Sequence, residues 1–170
     1  AEVYDADLAN AFGNLASRAM AMVEKYFDGV VPAAPPGPHD AQVLSELQRA
    51  AASVVGGQGF LLHDAIARTM ATVRDTNEFI QRTQPWALAK DPARRDELAA
   101  VLATLIRSIA RQTLLLAPIM PGKAGVLWNA LGGTGTIQDV RFSALDALDV
   151  TGWRVTKGDP LFPKPAPTPT

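Results

Sequence analysis

The 170-residue chain contains no cysteine. Disulfides and thiolate metal sites are excluded, and the composition is compatible with a cytoplasmic location. Histidine is scarce: His39 and His63 lie far apart and form no metal-ligand spacing. No apolar run approaches the roughly 18–20 residues of a membrane span, and no signal-peptide pattern opens the chain. Neither charge sign dominates. A net charge of −1 excludes a strongly basic nucleic-acid coat, although 16 Lys and Arg leave room for a local basic patch. Recognisable catalytic chemistry is also missing. There is no GxxxxGKS/T phosphate loop and no GxGxxG. Ser17, Ser53, Ser108 and Ser143 lack an accompanying histidine and carboxylate. The chain starts without methionine and enters a helical pattern almost at once, which suggests a piece of a longer protein.

What is present is helix. Hydrophobic content is 48%, and the length suits one domain with its own core. Over 5–29, Leu8, Phe12, Leu15, Ala19, Met22 and Tyr26 recur at steps of 4 and 3, one face of a long helix that ends at Gly29. Gly13 weakens that helix unless something approaches it closely. Four prolines in 30–39 predict a semi-rigid loop. Asp40 caps a second helix with Val43, Leu47, Ala50 and Val54 inward, stopped by GGQG at 56–59. A third helix runs from about Phe60 to Thr83, with Leu62, Ile66, Met70, Val73, Asn77 and Ile80 as its stripe. A break follows at Pro85–Trp86. Asp91 then caps a fourth helix, about 92–117, with Pro92 at its first position and Leu98, Leu102, Leu105, Ile109 and Leu116 inward. Pro118 and Pro121 end it and start a fifth, which buries Ala124, Leu127, Trp128 and Leu131 before Gly132 and Gly133. The last forty residues read as irregular. With no βαβ alternation, the expected fold is an all-α antiparallel bundle of about five helices.

Several residues carry two readings. Asn14 and Arg18, four apart on one side of the first helix, are either a local surface pair or a donor–acceptor set for the edge of an unpaired base. Trp86 either fills a gap between diverging helices or offers a stacking face. Pro85 holds Gln84 extended and breaks the helix, so it can aim the indole outward. Asn77 reads as a hydrogen-bonding residue that fixes local backbone, Trp128 as core, His63 as a surface or packing residue, and the glycines at 132–135 as a helix stop.

The segments DADLANAFGNLASRAMAMVEKYFDGVVP, NEFIQRTQPWALAKD, LLLAPIMPGKAGVLWNALG and LFPK occur in an order and spacing that resembles the anticodon-binding helical domain of bacterial methionyl-tRNA synthetases. The likeness covers residues 4–164. The synthetases for isoleucine, valine and leucine share the PW-x-x-AK type of segment, whereas the opening segment and the LFPK ending point to methionine. The resemblance implies a domain at 1–158 that binds the CAU anticodon of methionine tRNA, followed by an extended Pro-rich tail at 159–170. It implies that Asn14 and Arg18 contact anticodon bases and that Trp86, set by Pro85, stacks on the first of them. Lys164 stands where the family usually has arginine, and it contacts a phosphate without the planar fork. The family's HIGH-like and KMSKS-like motifs are absent. Adenylation chemistry, with ATP, magnesium and in many members zinc, therefore belongs to a catalytic part outside this chain, and this chain alone is expected to be inactive. The alternatives are an isoleucyl- or valyl-type anticodon domain and a structural or protein-docking helical module with a buried Trp86.

Overall fold

A computed structural model describes residues 8–55 and 62–156. The described residues form five long helices and one single-turn helix, with no strand beyond an isolated bridge. We label them α1 (Gly13–Phe27), α2 (Pro38–Val55), α3 (Leu62–Thr83), α4 (Pro85–Leu88), α5 (Arg95–Leu116) and α6 (Pro121–Leu131). The all-α bundle predicted from periodicity is what forms.

Helix α5 is the axis of the molecule. Leu98, Leu102, Leu105, Ile109 and Leu116 are buried as expected, but so is every residue from Val101 to Leu116. A helix covered on all sides is a core helix. Together with its leading turn, Pro92–Leu116 is long and apolar enough by composition to pass for a membrane span, yet 83% of that window is buried inside the bundle. Its first turn is set as the sequence predicts. Asp91 accepts from the Ala93 N–H at 3.0 Å, Pro92 opens a 3-10 turn, and α5 follows.

Helix α1 is preceded by a π-helical turn, Leu8–Phe12. Phe12, Leu15 and Ala19 are buried, whereas Met22 and Tyr26 are half-buried and Met20 and Val23 face inward instead. The reason is geometric. Steps of 4 and 3 average 3.5 residues per turn, an α-helix turns every 3.6, and the buried face drifts across the stripe. Asp28 and Gly29, both left-handed, end the helix as expected.

Helix α2 starts three residues earlier than an N-cap at Asp40 implies. Pro38 takes the first position, and Asp40 reaches back to the Gly37 N–H at 2.9 Å, the reverse half of a capping box. Val43, Leu47 and Ala50 are buried and Val54 half-buried. Asp40 is itself buried. It accepts from Thr104 Oγ1 and Arg107 Nη1, each at 2.8 Å, with Arg111 Nη1 at 3.8 Å. This ties α2 to the middle of α5 through polar atoms.

The inner face of α3 differs from the predicted stripe. Met70, Val73 and Ile80 are buried, but Ile66 and Asn77 are only half so, and Thr69, Thr72 and Thr76 take the inward places. Their hydroxyls donate to backbone carbonyls one turn back, and Gln112 Nε2 bridges Thr72 and Thr76 at 3.2 Å each. Asn77 donates to the Val73 carbonyl, the backbone role assigned to it.

In α6 the four predicted residues Ala124, Leu127, Trp128 and Leu131 are all buried, and Gly132 (φ 92°) stops the helix. Trp128 is core: it packs edge-on to Trp153 and its Nε1 donates to the Thr134 carbonyl. Beyond α6 the chain is irregular up to Thr156 but anchored. Val31 donates to the Trp153 carbonyl, and Gly152 and Val155 donate to Val31 and Gly29. The Pro-rich loop after α1 is thereby tied to the chain's last described segment.

Candidate nucleic-acid interface

Helix direction decides where the candidate residues stand. Arg95, at the start of α5, donates to the Tyr26 carbonyl at 3.0 Å and lies over the Phe27 ring at 4.3 Å. The end of α1 therefore meets the beginning of α5, and the two run antiparallel. Helix α3 bonds the far part of α5 through Gln112 and feeds into the near end through α4, so it also runs antiparallel to α5. Helices α1 and α3 are thus parallel neighbours, in contact with each other. The Leu8–Phe12 turn also contacts α3, and directly after it, in the first turns of α1, come Asn14 and Arg18. Both are exposed, while Leu15 and Ala19 between and beside them are buried.

The break at Pro85–Trp86 is a helix of its own. Pro85 takes the first position of α4, and Pro85 and Leu88 are buried. Trp86 is 37% exposed, one of three large apolar side chains so placed among the described residues. The packing-module expectation of a buried Trp86 is not met. A correction applies to Gln84, which is left-handed (φ 46°, ψ 65°) and not extended. Its carbonyl has to receive the first N–H groups of α4, and this overrides the steric preference that Pro85 imposes. Lys164 and the tail at 159–170 lie outside the described residues.

Sequence reasoning passed over other features of this region. His39 stacks on Phe79, with ring centroids 4.5 Å apart and planes 10° apart, and the Arg82 guanidinium lies near the same ring. His39 Nε2 also pairs with Thr76 Oγ1 at 3.1 Å. Burial lowers the His39 pKa, opposed by Asp40 and Asp75 and reinforced by Arg82. Arg107 and Arg111 were likewise missed. Their signal was in plain view: two arginines four apart are the only charged residues in the helical run 98–116. Among the described residues no group of three or more metal-ligating side chains converges.

No protein-family profile matches the chain. Curated relatives do. The chain is 36% identical over 167 residues to the methionine–tRNA ligase of Halalkalibacterium halodurans, covering 93% of this chain and 24% of that protein. It is 36% identical over 173 residues to the enzyme of Streptomyces coelicolor, covering 95% and 32%. The solved free-state Mycobacterium tuberculosis methionyl-tRNA synthetase superposes with a TM-score of 0.83 at 28% identity, over 97% of this chain and 34% of that one. The same synthetase in complex with methionyl-adenylate gives 0.81 over 93% of this chain.

The class that fold and likeness define is a helical domain of an aminoacyl-tRNA synthetase. The chain spans about a quarter of the length of the first curated relatives it matches. Within that class, over nearly its whole length it matches one segment of the longer methionyl-tRNA synthetases.

Proposed function

We propose that this chain is the anticodon-binding domain of a cytoplasmic methionine–tRNA ligase and that it recognises the CAU anticodon of methionine tRNA. The observation that carries the reading is Trp86: a large ring left 37% exposed on a turn whose Pro85 and Leu88 are buried. A rigid ring facing solvent stacks on a splayed base with little entropy to lose. Asn14 supplies one donor and one acceptor to a base edge, and Arg18 a planar fork of donors. Lys164 adds a phosphate contact. Methionine activation with ATP and magnesium, and any zinc site, belong to the part of the ligase outside this chain, which alone is inactive. The domain's contribution is specificity, because contacts to the correct anticodon add binding energy that the full enzyme uses to select its tRNA.

The test is Trp86→Ala. Affinity for a CAU stem-loop falls by about 1–3 kcal/mol, the usual worth of a base–aromatic stack. In a full-length ligase carrying the substitution, KM for tRNA rises and methionine activation is unchanged. Unaltered tRNA charging would sink the stacking role. Isoleucine and valine tRNA stem-loops as competitors separate the CAU reading from a related synthetase's specificity.

A further inference from the structure

The corner that carries Trp86 begins at a strained residue. The left-handed region that Gln84 occupies is one that residues other than glycine and asparagine seldom visit. The following proline steers its predecessor toward extended backbone as well. Among the described residues the only other non-glycine with positive φ is Asp28, which ends α1. Gln84 is different, because it joins two helices and serves both. Its N–H donates to the Ile80 carbonyl at 2.9 Å, which closes α3. Its own carbonyl accepts from the N–H groups of Ala87 at 2.9 Å and Leu88 at 3.2 Å, which opens α4. The side chain is exposed and makes no capping hydrogen bond. The fold therefore uses the backbone of Gln84. Extended torsions would swing that carbonyl away from both donors and unwind the turn that fastens Pro85 and Leu88 inside and leaves Trp86 outside.

We propose that Gln84 is a positioning residue for nucleobase recognition: its left-handed backbone holds the α4 turn so that Trp86 presents its indole to an unpaired base. The inference rests on the stacking role given to Trp86 above. Strain held at one residue is the means by which a corner keeps a ring in one direction before the ligand arrives.

The experiment uses the 170-residue chain labelled with 5-fluorotryptophan. The Trp86 fluorine resonance is identified by its loss in Trp86→Phe, and its broadening by a soluble paramagnet reads the exposure of the ring. Affinity is read by titration with a CAU stem-loop. Gln84→Gly accepts the left-handed region freely, so it keeps the Trp86 resonance and the affinity and raises the melting temperature. Gln84→Val opposes that region. It shifts the Trp86 resonance, leaves those of Trp128 and Trp153 in place, and weakens the stem-loop about tenfold. Should Gln84→Val not fold, Gln84→Thr, likewise β-branched, takes its place in the comparison. The proposal is overturned if Gln84→Val leaves ring and affinity as they were, or if Gln84→Gly weakens binding as much as Gln84→Val, since the side chain would then be what matters. If Gln84→Val turns the ring but neither it nor Trp86→Ala alters affinity, Gln84 still sets the corner and the stacking role of Trp86 is what fails.

Discussion

Asp40 shows how much one side chain holds in this bundle. It is 1% exposed and faces two guanidinium groups, Arg107 and Arg111, themselves almost fully buried. Burial lowers the Arg111 pKa, Arg107 reinforces that and Asp40 opposes it. Removing the carboxylate leaves two desolvated cations without their counter-charge. Asp40→Asn is therefore expected to destabilise the fold by about 3–5 kcal/mol, measured as a lower urea midpoint. Replacing Asp40, Arg107 and Arg111 together with apolar residues of similar volume costs far less, because no buried charge is orphaned. Trp86 is the opposite case. Its ring is 37% exposed against 2% for Trp128, so Trp86→Ala is expected to lower the urea midpoint by less than Trp128→Ala does, while weakening the stem-loop. A smaller loss of stability joined to a loss of affinity distinguishes a presented ring from a core one.

At the scale of the element, α5 carries the fold. Helices α1, α2, α3 and α6 all pack on it, and Ile109 at its centre is fully buried. Ile109→Ala is expected to cost about 2–5 kcal/mol, from lost transfer energy and the cavity left between helices that cannot close up. Thermal unfolding followed by circular dichroism checks this. The turn after α6 is equally constrained by shape. A Cβ on Gly133 collides with the Trp128 ring, and one on Gly132 meets the Arg154 backbone at 2.7 Å. The glycines read in the sequence as a helix stop are also the clearance that lets the final segment dock.

Across the whole molecule, acid destabilises. His39 is buried between α2 and α3, and its folded pKa lies below the ordinary 6.5. As pH falls through 6.5, the unfolded chain takes up a proton that the folded chain resists. Stability therefore drops from pH 6.5 down through the lowered folded value. Glu97 and Asp149 act in the same direction at lower pH. Their carboxyls are held below the ordinary range, Glu97 chiefly by the hydrogen bond from Arg94 and Asp149 by the Thr151 N–H, so what they add is lost as they protonate. Urea midpoints of the chain and of His39→Phe across pH 5–8 check the first effect: the substitution flattens the slope near pH 6.

The sequence by itself determined where the long helices lie, how α5 starts at Asp91 and Pro92, which residues of α6 face inward, and that Trp128 belongs to the core. These follow from rules that act over a turn or two: apolar periodicity, capping and the backbone limits of proline and glycine. It left Trp86 with two readings, placed Gln84 in the wrong backbone region and took Asp40 for a simple cap. Only the tertiary structure decided those points. The direction of the Trp86 ring depends on Pro85 and Leu88 finding cover against α5. Gln84 turns left-handed because two helices must share its carbonyl. Asp40 is buried because Arg107 and Arg111, more than sixty residues further along the chain, arrive beside it when α2 packs on α5. Burial on all sides and the pairing of desolvated charges need partners from distant segments, and a local pattern holds no record of which segments will meet.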